Sequence, residues 1–318
     1  MDVVLVDAKN ATYRHGWTRS SLHNSAGQPT GAIFGILSCL LRLYKFHPKA
    51  QFIFCWDGKD TYKSWRHKVC GTYKANRSKP GSKDVPVEVK DILSQIPAIK
   101  NVINILGFPQ YEVERLEADD LIGILAKYVA RKSGVENVFI YSMDKDMHQL
   151  IGGKIAVVKD LNKSLKCRAY TSKDVLADFG VTPKDWNKYR ALVGDSSDGI
   201  KSPFPKIGKV RAMKLLAEGL DASKSAPSTE IERQFSEHWS KAHMNYRLSK
   251  IVTNAESKVM TSVNRLHLIK VVEAVSTVAG IKRRQIENTD ARKFVKFCAT
   301  YELQWIMENR HLFYSIGG

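Results

Sequence analysis

The sequence predicts an α/β fold: a mainly parallel central sheet flanked by helices. Three observations carry this reading. Val3–Val6, Gln51–Trp56 and Asn137–Tyr141 are short apolar runs without the polar alternation of a half-exposed strand, as expected of strands buried on both faces. Segments of helical length and apolar content separate them. Each run also leads into acids: Asp7, Asp57, and the pair Asp144 and Asp146. In such folds ligands sit beyond the carboxyl ends of the strands, where these acids would lie.

Taken in order, Asp2–Asp7 reads as a buried strand, 12–28 as a polar loop and Gly31–Tyr44 as a mostly apolar helix. Gln51–Trp56 is the second strand. Residues 59–83 then turn basic and aromatic, with Tyr62, Lys63, Trp65, Arg66, His67, Lys68, Tyr73, Lys74, Arg77, Lys79 and Lys83 before the break at Pro80-Gly81-Ser82. A helical pattern resumes over Pro86–Ile96, and the β-branched run Asn101–Ile105 suggests a strand. A short extended piece follows through Val113. Ile155–Val158 reads as a further strand, and Asp144 and Asp146 would share one side of an extended backbone.

Beyond residue 170 the pattern is mostly helical. Ser172–Phe179 and Pro183–Val193 are two candidate helices, with Thr171 or Ser172 and Thr182 available as caps. The acidic loop Gly194–Gly199 follows, and then a Gly-containing turn enters a helix ending near Leu216. Backbone amides in such a turn can grasp phosphate, with Lys206, Lys209 and Arg211 close by. Residues 219–228 read as a linker; 231–247, 264–278 and 291–307 support helices, and Lys282-Arg283-Arg284 adds to the positive surface.

Glu117-Ala118-Asp119-Asp120 stands at the mouth of the apolar helix Leu121–Val129. Glu117 and Asp120 lie three apart and share a face, with Asp119 beside them. A helix N-terminus relieves part of their repulsion. Together with Asp7, Asp57, Asp144, Asp146, Asp195 and Asp198 they form a carboxylate set suited to hard divalent cations such as Mg²⁺ or Mn²⁺. Two such ions can drive in-line hydrolysis of a phosphodiester. No arrangement supports a Ser, Cys or His nucleophile.

The chain has 318 residues, 43% of them hydrophobic, enough for one large core or two lobes. It carries 50 Lys plus Arg against 32 Asp plus Glu, a formal net charge of +18. A polyanion partner, nucleic acid before an anionic membrane, follows from that imbalance. No apolar run approaches the ~20 residues of a membrane span, and the start lacks the pattern of a secretory signal, so a cytoplasmic location is expected. Cysteines at 39, 55, 70, 167 and 298 make neither a zinc pattern nor a disulfide framework.

The ordered set Val4-Leu5-Val6-Asp7, Trp56-Asp57, Tyr73-Lys74-Ala75-Asn76-Arg77, Glu117-Ala118-Asp119-Asp120, Ser142-Met143-Asp144-Lys145-Asp146 and Gly194-Asp195-Ser196-Ser197-Asp198, followed by Ile207-Gly208-Lys209, resembles the flap endonuclease family. It is most similar to the bacterial and bacteriophage 5′-3′ exonucleases, including the N-terminal nuclease domain of bacterial DNA polymerase I. The resemblance implies a nuclease core over 1–170 with a helical arch at 59–85. It also implies a helical DNA-binding region over 171–318, with a helix-hairpin-helix at about 190–216. By the same resemblance Asp7, Asp57, Glu117 and Asp119 form the tighter metal site, Asp144, Asp146, Asp195 and Asp198 the second, and Asp120 supports the cluster as a metal ligand, directly or through water. Lys74 is implied as the catalytic lysine and Arg77 as the phosphate-steering arginine. Tyr73 is a stacking candidate, Arg66 a phosphate contact, and Lys206, Lys209 and Arg211 the duplex contacts, with K⁺ in the hairpin.

The implied partner is duplex DNA with a 5′ flap, nick, gap or free 5′ end, bound by a monomer. An RNA–DNA hybrid and a separate polymerase partner stay open. Gly199 stands where the family commonly has Asn, Lys206 replaces a common Gly, and 201–206 is about one residue longer than usual. A catalytically retired DNA-binding protein is the alternative. A P-loop hydrolase is disfavoured because the Gly-rich run ending in Lys-Ser or Lys-Thr is missing.

Overall fold

The structure is a computed structural model that describes residues 1–75, 85–160, 167–277 and 284–316. One sheet contains β1 (Val3–Asp7), β2 (Gln51–Asp57), β3 (Gln110–Val113), β4 (Val138–Tyr141), β5 (Ile155–Asp160) and β6 (Cys167–Tyr170). The strand order is β3-β2-β1-β4-β5-β6, parallel throughout except for the β5–β6 pair. The expected α/β class is therefore what forms, and the sheet reverses direction of winding between β1 and β4. That switch point opens a crevice at the strand carboxyl ends.

The helices begin with α1 (Ala8–Trp17), α2 (Gly31–Phe46), α3 (Trp65–Val69), α4 (Val87–Ser94), α5 (Ile96–Ile105) and α6 (Ala118–Val129). They continue with α7 (Ser172–Phe179), α8 (Trp186–Val193), α9 (Lys209–Ala217), α10 (Glu230–Arg233), α11 (Trp239–Ser249) and α12 (Ser262–Ser276), and then the helix Asn288–Thr300. Successive strand residues point to opposite faces, so each apolar run feeds two cores. Val3, Leu5, Ile53, Val138 and Ile140 pack with α6, α8 and α11. Val4, Val6, Phe52, Phe54 and Phe139 pack with α2, α5 and Phe294 and Phe297 of Asn288–Thr300.

Several local expectations are corrected. Residues 12–17 are helical, not loop: they belong to α1, which buries the small face Ala8, Ala11, Thr12 and Gly16 with His15, a face with too little apolar content to show as a helical stripe. Asn101–Ile105 is the end of α5, not a strand. Ile99, Val102, Ile103 and Leu106 are buried together at helical spacing, which overrides the β-branched preference. Asp144 and Asp146 are not an extended pair, because Asp144 caps a 3-10 turn over Lys145–Leu150 and accepts from the Asp146 amide at 2.8 Å. Thr171 does cap α7, in a capping box with Asp174. Thr182 instead bonds Asp185, and Pro183–Asp185 is a 3-10 turn. The expected helix over 231–247 is broken into α10, the 3-10 turn Ser236–His238 and α11. The one over 291–307 is broken into Asn288–Thr300 and Gln304–Glu308.

Glu232 anchors the turn between α9 and α11. It is fully buried and accepts from the Asp221, Ser228 and Thr229 amides, the Ser228 hydroxyl and the Lys224 ammonium. Burial opposes its charge, but the Ser228 amide, Lys224 and the other donors outweigh that and pull it down to about 2. Glu232→Gln is expected to lower unfolding free energy at neutral pH by roughly 2–3 kcal/mol. For an acid with a depressed folded value the stabilisation is present above its unfolded value and lost as pH falls. The gap between wild type and variant should thus close as pH drops from 4.5 to about 2, read by denaturant titration. A gap unchanged across that window would contradict the assignment.

Candidate active site

Acidic side chains converge at the carboxyl ends of β1, β2 and β4. Asp7, the last residue of β1, caps α1 through the Asn10 amide at 3.1 Å and accepts from Ser142 Oγ at 2.8 Å across the switch point. Asp57, ending β2, accepts from the Ala118 amide at the start of α6 and from Lys9 Nζ, both at 2.8 Å. The free amides of a helix start are natural partners for these charges. Asp195 enters from the loop after α8, where Gly194 takes φ 77° and a Cβ would lie 2.5 Å from the Ile200 carbonyl, so only glycine fits. Gly199 closes the same loop at φ 72°. That left-handed position suits Asn as well as Gly.

Beneath this surface lies a fully engaged clamp. Arg66 is 2% exposed and donates from Nη1 to Glu117 at 3.0 Å and Asp120 at 2.8 Å, and from Nη2 to the second Asp120 oxygen at 2.9 Å. Its remaining donors meet the Leu248 and Lys250 carbonyls. Asp120, completely buried, also accepts from Trp65 Nε1 and the Val252 amide, each at 2.9 Å. Gly123 of α6 permits this approach, since a Cβ there would meet the Val252 carbonyl at 2.6 Å. Glu117 and Asp120 do share a face, as their spacing predicts. Each Asp120 oxygen nevertheless accepts from two protein donors, which fills its lone pairs and corrects its expected place among the metal ligands. Arg66 is likewise a buried strut and not a phosphate contact.

Tyr73 is also corrected. Its ring is 5% exposed and its hydroxyl lies 3.0 Å from Asp198 and 3.3 Å from Glu117, so the ring offers no face for a base. The next residue, Lys74, takes a left-handed φ of 55° and places Nζ 2.9 Å from Glu117 and 3.8 Å from Asp198. Its amide donates to the Asp198 carbonyl at 3.1 Å. Lys74 thus joins the two acidic groups. Arg77 and residues 76–84 of the expected arch lie outside the described residues, as do Lys282 and Arg283. Lys206, Lys209 and Arg211 are exposed at the start of α9, and Lys209 turns its ammonium to the Asp178 carbonyl.

The acids perturb one another strongly. Burial, helped by Asp57 and Asp144, pushes Asp7 up to about 7 despite the Ser142 bond. Burial, with Asp144 next to it, does the same for Asp146, also up to about 7. Asp119 is raised well above the carboxylate range by burial and then by Asp144 and Asp7. Asp144 is raised by burial and by Asp198 and Asp195. At Asp57 burial is outweighed by Lys9 and the Ala118 amide, and the value falls.

Two cations among these acids carry no signal in the sequence: Lys9, on the first turn of α1, and Arg190, whose Nε lies 2.9 Å from Asp146 and whose Nη2 bonds Asp195. In a chain with 50 Lys plus Arg, a basic residue a few positions from an acidic motif is too common to single them out.

Among the described residues no three His, Cys, Asp or Glu side chains are arranged to enclose a cation by themselves. The donor chemistry does fit hydrated divalent ions, which take carboxylate oxygens directly and keep several waters through which further carboxylates act. Crowded acids raised by burial, and further by their neighbours' charge, are what a bound cation would relieve.

The sequence matches the family described as "5′-3′ exonuclease, N-terminal resolvase-like domain" over residues 2–180. It is 31% identical over 267 residues to DNA polymerase I of Bacillus subtilis, an alignment covering 82% of this chain and 29% of that protein. It is 34% identical over 205 residues to a 5′-3′ exonuclease of Aquifex aeolicus, covering 64% of this chain and 65% of that protein. The chain therefore spans less than a third of the B. subtilis polymerase. In fold it is similar to the T5 5′-exonuclease solved with bound zinc, with a TM-score of 0.68 at 19% identity over 88% of this chain and 100% of that one. It is also similar to flap endonuclease-1 of Methanococcus jannaschii, with a TM-score of 0.59 at 16% identity over 99% and 92% of the two chains.

Proposed function

Because the chain belongs to the 5′-3′ exonuclease family, we propose that it is a structure-dependent 5′-3′ exonuclease and flap endonuclease, cutting DNA phosphodiesters to 5′-phosphate products. The observation that carries this reading is the carboxylate cluster at the switch point, raised by burial and mutual repulsion, in a chain of net charge +18. Asp7, Asp57, Glu117 and Asp119 would hold one Mg²⁺ or Mn²⁺, and Asp144, Asp146, Asp195 and Asp198 a second. Bound there, the ions supply Lewis acidity and charge neutralisation for phosphodiester hydrolysis.

Within this reading the chain's own residues position the substrate. Lys74 presents a cation at the junction of the two acidic groups, where the scissile phosphate adds negative charge. Residues 59–85, with Arg77, guide the 5′ end. The α8–loop–α9 segment serves as the hairpin that holds duplex backbone through Lys206, Lys209 and Arg211, and it would hold a K⁺. Residues 171–318 form the duplex-holding region. The chain works as a monomer in the cytoplasm, in replication or repair beside a polymerase, with an RNA–DNA hybrid as a second substrate. No helix among the described residues is long and apolar enough to cross a membrane.

Lys74→Ala is expected to slow single-turnover cleavage by about 10²-fold, with duplex affinity nearly unchanged; an unaltered single-turnover rate would remove Lys74 from this role. Polarity and product chemistry are tested on a nicked duplex labelled at either end. Release from the 5′ side, leaving an end that ligase seals without prior phosphorylation, is expected. Release from the 3′ side would overturn the reading.

A further inference from the structure

A second basic surface lies far from the acidic cluster. The helix Asn288–Thr300 packs against α5 and leaves a groove of about 560 Å³, within the size range of ligand sites, lined by Asn101, Asn104, Arg284, Lys293, Lys296 and Tyr301 among others. It lies at the end of α5 that feeds β3, the opposite end of the sheet from Asp7 and Asp57.

The lining is built in two layers. Arg284 is fixed, donating to Asp290 at 2.6 Å and to the Gln285 and Asn104 carbonyls. Its charge is largely met. Lys293 and Lys296 are exposed, form no ion pair among the described residues, and sit three apart on one helix face. Phe297 is buried behind the half-exposed Tyr301, ring centroids 4.7 Å apart, so the tyrosine is a braced platform. Asn101 and Asn104 add neutral donors and acceptors.

From this combination we propose that the groove binds a single strand of nucleic acid, phosphates at Lys293 and Lys296 and a base on Tyr301. Cations that track a backbone beside an aromatic face are the physical requirement for sequence-tolerant strand binding. A simple anion would need no platform, and an apolar ligand would not select paired lysines. The groove's position at the other end of the sheet means that a strand held here is not the segment lying at the carboxylates. It therefore extends the footprint of the chain beyond the proposed cleavage site.

The test is fluorescence anisotropy of a labelled oligothymidine with the full chain in chelator, across a salt series. Lys293→Glu with Lys296→Glu should weaken binding by about tenfold or more and reduce the slope of log affinity against log salt by about 1.4. The charge-matched control Lys45→Glu with Lys49→Glu, on exposed lysines outside the groove, should change affinity by about twofold or less. Tyr301→Ala should weaken binding roughly fivefold or more with the slope retained. Groove variants indistinguishable from the control pair would overturn the proposal. Competition by thymidine monophosphate at the concentration of the oligonucleotide would also overturn it, reassigning the groove to a free nucleotide.

Discussion

Asp144→Asn is expected to reduce Mg²⁺-dependent cleavage of a flap duplex by about 10³-fold or more, roughly 4 kcal/mol of barrier, while duplex affinity in chelator holds or rises slightly. The amide keeps the size of the side chain but removes a charge felt by Asp7, Asp119 and Asp146. Their repulsion should relax, so the variant should be at least as stable as wild type without metal. It should also gain less stability than wild type when Mg²⁺ is added, because a ligand that binds only the folded state stabilises in proportion to its affinity. Wild-type turnover in the variant would remove Asp144 from the proposed site. Loss of turnover together with loss of fold would point to a structural role instead.

The second large effect falls on stability. Arg66→Met leaves Asp120 buried without its bidentate partner and frees the Leu248 and Lys250 carbonyls. Breaking a buried pair from one side costs about 3–5 kcal/mol, so the urea midpoint should fall sharply. Adding Asp120→Leu removes the stranded charge and should return much of the loss, as apolar replacement of a whole buried pair often does. The Val252 amide and Trp65 Nε1 then lose their acceptor, which keeps the recovery incomplete. A single variant as stable as wild type would mean that the clamp holds nothing.

This clamp shows what could and could not be read from the sequence. Uninterrupted apolar runs ending in acids were sufficient to place β1, β2 and β4 and to gather Asp7, Asp57 and Asp144 at one edge, because burial on both faces leaves a direct mark on composition. The acid triplet at 117–120 placed the start of α6 for a similar reason. Spacing could not separate Asp120 from its neighbours. Its partners come from Trp65 and Arg66, more than fifty residues earlier, and from Val252, more than one hundred and thirty later, and only the tertiary fold sets them. Arg66 and Tyr73 look like surface groups in a basic, aromatic stretch, yet both turn inward to meet carboxylates. Lys9 and Arg190 are not legible in the sequence because a single cation on a helix carries no pattern. α1 and α5 were missed for opposite reasons: one buries mostly small residues, and the other carries β-branched residues at helical spacing.

The second half of the chain was legible as helices but not in its breaks, since 231–247 and 291–307 each contain apolar residues enough for one longer helix. The 248–252 segment, from the end of α11 onward, touches Arg66, Asp120 and Gln149. The helical half thereby contributes directly to the floor of the candidate site.

The most direct measurement is a time course on a 5′-end-labelled flap duplex and its blunt control, with Mg²⁺, with Mn²⁺ and with chelator. Metal-dependent release of a short 5′ fragment at the flap junction is expected, with slower cutting of the blunt duplex and none in chelator. Tight binding of both duplexes without cleavage under any metal condition would contradict it, and would leave a DNA-binding protein whose carboxylates no longer carry out chemistry.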